Sequence, residues 1–487
     1  DVYKRQTYYR TKYLFVFFTL ILFSSSLFSQ KKPEKSDKDK KEKTYSDIIT
    51  EKAVTDPGLF DVHKVDEKYY YEINDSLLDR DMLMVTRIAK MAKEIPLGAH
   101  KLSEQVLSWQ KFDNNLLLKE LSFSNYASDS LPIKEAVSNS NFEPIIASFK
   151  IEVVNKDKNS YVIDVTSLYK NDVKSFGYPQ SSRKRNNITS LDTKLSFIES
   201  IRSFPLNIEA KHIKTYKSSN AKNGQISMLL NNSMILLPKE PMKRRYFDER
   251  VGWFTTSQTD YGIDNQEAET VTYLDRWRLE VKDEDIEKFK NGELVEPKKP
   301  IVYYIDRATP MKWRKYLKQG IEDWNAAFEE AGFKNAVICK DPPTEEEDPD
   351  WSPEDVRYST VRYLASSTLN ANGPHVSDPR SGEIIESDIN WYHNVMKLLR
   401  NWYFVQASAV DPEARGVEFR NEVMGELIRF VSSHEFGHTI GLPHNMGSSS
   451  AYPVDSLRSA TFTKKYGTSP SITVSYTHLR AHETPCH

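Results

Sequence analysis

From about Asp61 to Val281 apolar and polar positions alternate in short runs, and clusters of turn-forming residues separate the runs. "KYYYEI" leads to "DMLMVTRIAK", "VLSWQKF" and "LLLKELSF" flank Asp113-Asn114-Asn115, "FKIEVV" and "YVIDVT" flank "NKDKNS", and "GQISMLL" and "SMILLP" flank Asn231-Asn232. A period of two sends successive side chains to opposite faces of a strand, and Asn or Asp between two such runs turns the chain. The pattern predicts antiparallel hairpins, one of them turning at Asn231-Asn232. No residue set in this region suggests chemistry, and its aromatics read as core.

The rhythm changes near residue 300. A strand from Ile301 to Asp306 is followed by Thr309 as an N-cap and Pro310 at the first helical position. Trp313, Leu317, Ile321, Trp324 and Phe328 then recur at helical spacing, and Gly332 supplies a stop. Strands "AVICKD" and "STVRYLA" come next, then a hairpin spanning His375 to Asp388 with its turn at Pro379-Arg380-Ser381-Gly382, then helices over about 394–409 and 421–440. Strands interleaved with helices make an α/β domain.

Length and charge narrow the picture. A chain of 487 residues is too long for one ordinary core. Lys and Arg number 67 against 69 Asp and Glu, which gives no electrostatic case for a nucleic-acid partner. At the amino end, Lys4, Arg5, Arg10 and Lys12 precede "YLFVFFTLILF" and the small-residue stretch "SSSLFSQ". That order is the order of a secretory signal peptide, and the apolar run is shorter than the ~20 residues a bilayer span needs. The expected location is therefore periplasmic, cell-surface or secreted, with no stable membrane span in the mature chain. The following "KKPEKSDKDKKEKTYSD" has almost nothing to bury and reads as a solvated linker. The two cysteines, Cys339 in an apolar run and Cys486 near the end, support no disulfide framework.

The chemistry is concentrated in "VSSHEFGHTIGLPHNMG", residues 431–447. Residues four apart share a helix face, so His434 and His438 can point at one spot, with Glu435 beside it. Gly441 permits a left-handed turn that brings His444 back toward the pair. Three neutral imidazoles with a fourth position open describe one catalytic zinc rather than a closed structural site. Zinc held this way lowers the pKa of its water to about 7, and Glu435 can take the proton as general base. His375 and Asp378, flanking the hairpin turn, read as solvated turn residues rather than a second metal site.

The pattern His434-Glu435-x-x-His438-x-x-Gly441-x-x-His444 resembles that of the metzincin clan of zinc-dependent metalloproteases. With "SDPRSGEI" upstream and "YPVDSLRS" downstream, the chain is similar to large secreted bacterial metalloproteases whose catalytic domain follows two domains of unknown function. The resemblance implies that His434, His438 and His444 are the zinc ligands, that Glu435 is the catalytic base, and that the hairpin from His375 to Asp388 is a sheet edge which pairs with an extended substrate peptide. It also implies a methionine-containing turn soon after "GTSPSI", whereas the chain reads "TVSYTHLRAHETPCH" and has no methionine after Met446. That stretch, like the opening "DVYKRQ", reads as foreign to the protein.

The expected organisation is multidomain: a signal peptide (1–29), a charged linker (30–46), a small module (47–95), a β-rich domain (96–297), a metzincin-like catalytic domain with a mixed sheet and an active-site helix (298–472), truncated at its carboxyl end, and a non-native tail (473–487). The expected function is an exported endopeptidase acting on protein or peptide substrates. The alternatives are a cell-surface binding or scaffold protein with an inactive protease domain, or a zinc hydrolase of a non-peptide bond.

Overall fold

The computed structural model describes residues 43–90 and 101–474. The expected signal peptide, most of the expected charged linker and most of the expected tail lie outside the described residues. Tyr45, assigned to the linker, is already packed, its hydroxyl donating to Glu72 at 2.7 Å.

The amino-terminal half is built on a 12-stranded antiparallel sheet. Its strands are β1 (Val54–Asp56), β2 (Asp61–Val65), β3 (Lys68–Asn74), β4 (Met82–Lys90), β5 (Lys101–Phe112), β6 (Asn115–Leu121), β8 (Ile145–Asn155), β9 (Ser160–Asp164), β10 (Ile188–Leu191), β11 (Phe197–Ser203), β12 (Asn207–Ser218) and β13 (Gln225–Leu236), with β7 (Asn125–Tyr126) falling between β6 and β8 in the chain. The spatial order is β1-β2-β3-β9-β8-β6-β5-β4-β13-β12-β10, and β11 also pairs with β12. Strand β4 hydrogen-bonds to β5 on one side and β13 on the other, so the sheet runs without a break across the sequence division at 95/96. A second sheet joins β7, β14 (Thr255–Asp260) and β15 (Glu269–Leu274).

The run "DMLMV" explains how the sheet meets the rest of the molecule. Met82 and Met84 point into a core with Leu107, Trp109, Ile208 and Met234. Leu83 and Val85 point the other way, into a cluster with Val106, Ile235, Val356 and Val376. A strand apolar at every position is buried on both faces. Here one face makes the domain's own core and the other receives the carboxy-terminal half.

The predicted turn at Asn231-Asn232 does not form. Both residues sit inside the continuous strand β13, buried, paired to Ala210 and Lys211 on β12 and to Thr86 and Arg87 on β4. Their amides satisfy other buried polar groups, Asn231 Nδ2 donating to Glu209 and Asn232 Nδ2 to Thr86, each within 2.8 Å. A polar ladder inside the sheet takes the place of a turn, and the chain reverses instead at Gly224, whose φ is +74°.

The carboxy-terminal half has a five-stranded sheet ordered β17 (Val337–Lys340), β16 (Ile301–Ile305), β18 (Ser359–Leu364), β22 (Ile389–Tyr392), β19 (Ala371–Asn372). All pairings are parallel except the last, so the sheet is mixed as expected. Helices α1 (Met311–Glu322), α2 (Asn325–Glu330), α3 (Val395–Ala407) and α4 (Asn421–Thr439) pack against it. The apolar series from Trp313 to Phe328 therefore spans two helices rather than one, breaking at Asp323-Trp324. Thr309 caps nothing. Pro310 holds the N-cap position without a side-chain hydrogen bond, and the buried Thr309 hydroxyl has no partner.

The hairpin expected at the sheet edge is a separate two-stranded unit of β20 (Val376–Asp378) and β21 (Glu383–Glu386). It is wedged between the halves. Arg276 N donates to Gly382 O at 2.8 Å and Ile384 N to Arg276 O at 2.9 Å, so part of its backbone is already engaged. Asp378 is fully buried, ion-paired to Arg380, which also reaches Asp81 at 2.8 Å. The solvation expected of His375 and Asp378 is thus corrected, and the hairpin is a separate unit whose Asp378–Arg380 pair reaches Asp81 of the other half. The mixed sheet ends in two edge strands, β17 and β19, and β19 is the one that lies against the motif helix.

Candidate metal centre

Helix α4 carries the motif into the core at the point where it meets α1. Side chains at two positions would prevent that approach. A β-carbon on Gly425 would collide with the Tyr316 ring, and one on Gly320 with the carbonyl of Arg429. Ser432, facing α1 between them, donates to Leu317 O at 2.8 Å. Small residues set the interhelical distance and a hydroxyl sets the register.

The helix ends at Thr439, and Gly441 takes φ +111°, the left-handed turn its position demands. The turn brings His444 round, so that one ligand atom from each of His434, His438 and His444 lies within 4.8 Å of the others. His434 is fully buried and His444 exposed, which leaves the cluster open on one side.

The hydrogen bonds fix the tautomers. His434 Nδ1 lies 2.9 Å from Ile472 O and His438 Nδ1 2.6 Å from Leu442 O. A carbonyl oxygen only accepts, so both Nδ1 atoms carry the proton and both Nε2 atoms present lone pairs. Those two Nε2 atoms face each other at 3.1 Å. Opposed lone pairs repel unless a cation sits between them, which is the arrangement zinc needs from neutral imidazoles. Burial, with the neighbouring rings adding to it, pushes His434 down to about 3, and burial also lowers His438. Both stay neutral across the physiological range.

Glu435 is 1 % exposed. One oxygen faces the N–H of Gly373, just beyond β19, and Oε1 has no partner. Burial raises its carboxyl to about 8, against the pull of the Gly373 amide. A buried carboxyl with one oxygen unsatisfied, beside three imidazoles that could hold a metal ion, is a perturbed group of the kind that clusters at functional sites.

The segment running through residues 472–474 lies beneath the ligands, where the sequence predicts a methionine turn. Ile472 holds His434, Thr473 O accepts from Asn445 N at 2.8 Å, and Thr473 would meet any side chain at Gly437. Thr473 and Val474, assigned to the tail, are buried here.

Residues 416–481 match the Met-zincin family. The Met-zincin segment thus holds α4, all three histidines and the strip beneath them. Upstream, residues 42–91 and 99–282 match two domains of unknown function, DUF5118 and DUF5117 respectively. Neither a curated protein nor a solved structure matches the chain. A Met-zincin domain after a β-rich region, with a zinc-compatible histidine cluster, makes the chain a zinc metallopeptidase-like protein.

Sequence reasoning missed what the β-rich region adds around this centre. Phe254 N donates to Gly441 O at 2.7 Å, and Trp277 Nε1 to Thr439 O at 3.0 Å. A β-carbon on Gly441 would strike Trp253 and the carbonyl of Asp275. His375, read as a solvated turn residue, is instead hydrogen-bonded through Nε2 to Asp275 Oδ2 at 3.1 Å with its side chain 12 % exposed. These partners stand over a hundred residues from the motif, and neither spacing nor periodicity marks them. Only the run of aromatics near Trp253 hinted at packing.

Proposed function

We propose that the protein is an exported zinc-dependent endopeptidase. The observation that carries the reading is the pair of facing Nε2 lone pairs on His434 and His438, with His444 completing the set and the unsatisfied carboxyl of Glu435 alongside. Zinc bound there supplies a Lewis acid that polarises a carbonyl and makes water nucleophilic near neutral pH. His434, His438 and His444 would hold it, with the Nδ1 atoms of the first two locked by Ile472 O and Leu442 O respectively. The cation's charge would favour the ionised form of Glu435, which then takes the proton from the attacking water and returns it to the departing amine.

The substrate lies along β19, whose outer side pairs with no strand among the described residues. Main-chain hydrogen bonds to that edge would present a peptide in extended form next to Glu435. Export rests on the basic and apolar amino-terminal sequence, and no helix among the described residues is long and apolar enough to cross a membrane.

The test is cleavage of a mixed peptide library by the zinc-loaded protein, beside Glu435→Ala and a chelated sample. Cut sites that vanish in both controls support the reading. Cleavage that survives in either one rules out this site as its source.

A further inference from the structure

We propose that His375 contacts the peptide substrate, accepting a main-chain N–H through Nδ1, and that Asp275 from the β-rich half is the residue that positions it. The assignment rests on the peptidase reading above.

Asp275 follows β15 and is 7 % exposed. Its Oδ1 accepts from the Thr256 hydroxyl at 2.7 Å and its Oδ2 faces His375 Nε2 at 3.1 Å. A carboxylate accepts only, so Nε2 of His375 carries the proton and Nδ1 presents a lone pair. A buried carboxylate that fixes the tautomer and angle of an imidazole is the arrangement by which proteins ready the opposite nitrogen for a ligand.

The location is what gives the pair a task. His375 and His438 share one aromatic wall: the Phe254 ring stands 5.2 Å from the first and 6.3 Å from the second, centre to centre. Phe254 is itself pinned to the ligand turn through Gly441. Along the chain His375 is two residues beyond Gly373, whose N–H faces Glu435. Two extended residues span roughly 7 Å, so a peptide lying on the edge of β19 with its scissile bond at Glu435 comes within reach of His375. His375 is also among the residues lining a cavity of about 270 Å³ between the large sheet and the carboxy-terminal half, together with Arg87, Lys101, Arg362 and Glu386. The ring is held by Asp275 and Phe254 and keeps 12 % of its side chain exposed. His375 belongs to no part of the three-histidine cluster.

The experiment uses the full zinc-loaded chain with its best library substrate and a set of analogues, each methylated at one main-chain nitrogen. His375→Ala is expected to lower kcat/KM by about 100-fold while zinc content stays at one per chain, since misplacing a substrate costs about that much. Asp275→Asn is expected to cost about tenfold through the lost orientation. One N-methyl position should penalise the wild-type protein and add nothing to the His375→Ala loss. A phosphinic peptide, whose binding calorimetry reads without turnover, should lose affinity in the same variant. His375→Asn keeps a polar group near the place of Nδ1 and should retain the N-methyl discrimination, which covers the case in which His375→Ala does not fold. The assignment is overturned if His375→Ala stays within about threefold of wild type, or if every N-methyl penalty is equal in the two proteins. Cleavage by both proteins alike removes this assignment alone, whereas no cleavage by the wild type removes the peptidase reading beneath it.

Discussion

A side chain on Gly373 would collide with the main-chain carbonyl of Glu435 and stand 2.8 Å from Thr439 Cγ2, so the strip that follows β19 runs directly against the motif helix. Gly373→Ala must push sheet edge and helix apart. Overpacking of this kind costs about 1–3 kcal/mol, and the displaced carboxyl should cost activity as well. We expect a lower melting temperature and at least about tenfold lower kcat/KM, with zinc still bound because no ligand moves off the helix. Calorimetry and metal analysis on one preparation check both parts.

Glu435→Gln separates proton transfer from metal binding. The amide keeps the shape and cannot act as a base, so cleavage should fall by about 1,000-fold with zinc stoichiometry unchanged. Because the wild-type carboxyl is buried with Oε1 unsatisfied, the variant should melt no lower than wild type. A marked drop in melting temperature would instead make Glu435 a structural residue.

Removing the metal should be costly to the fold around residues 434–444. Zinc at about a thousandfold over its dissociation constant adds about 4 kcal/mol of apparent stability. A chelator is expected to lower the melting temperature, and His444→Ala to abolish most of the difference between chelated and zinc-loaded protein. Equal melting curves with and without zinc in the wild type would contradict this.

Far from the centre, Glu72 sets an acid limit. Burial opposes its ionisation, but donors from His63, Ser160, Tyr45 and Asn155 prevail and hold the folded-state value at about 2, below the ordinary 4.5. A depressed folded value means the stabilisation is complete above about pH 4.5 and drains away as pH falls toward 2. Glu72→Gln should cost up to about 3 kcal/mol at pH 7 and flatten the acid limb of the stability curve between those limits, as urea titrations at several pH values would show.

The motif was legible because a helix converts sequence spacing into geometry: His434, Glu435, His438, Gly441 and His444 occupy the places their intervals demand. The alternating strands were legible for the same reason, period two being a local property. Asn231-Asn232 misled because turn chemistry and a buried amide ladder use the same residue, and the difference lies in Glu209 and Thr86 across the sheet. The hairpin at Pro379-Gly382 was right in form and wrong in place, since a two-stranded unit gives no sequence sign of what covers it. His375 was invisible as a partner of Asp275 because the pair meets only when two domains close.

That closure has a consequence for how such an enzyme could be switched on. Phe254, Asp275 and Arg276 clasp the Gly441 turn and the β20–β21 unit from outside the Met-zincin segment. Clipping the chain near residue 298 and discarding what precedes it would strip the wall from beside His438 and expose Val376 and Ile385, now covered by the large sheet. Removal of everything before residue 298 would therefore dismantle the packing around the Gly441 turn rather than simply uncover it. The region that precedes the Met-zincin match supplies one wall of the candidate site, so the two cannot be parted without changing the surroundings of His438.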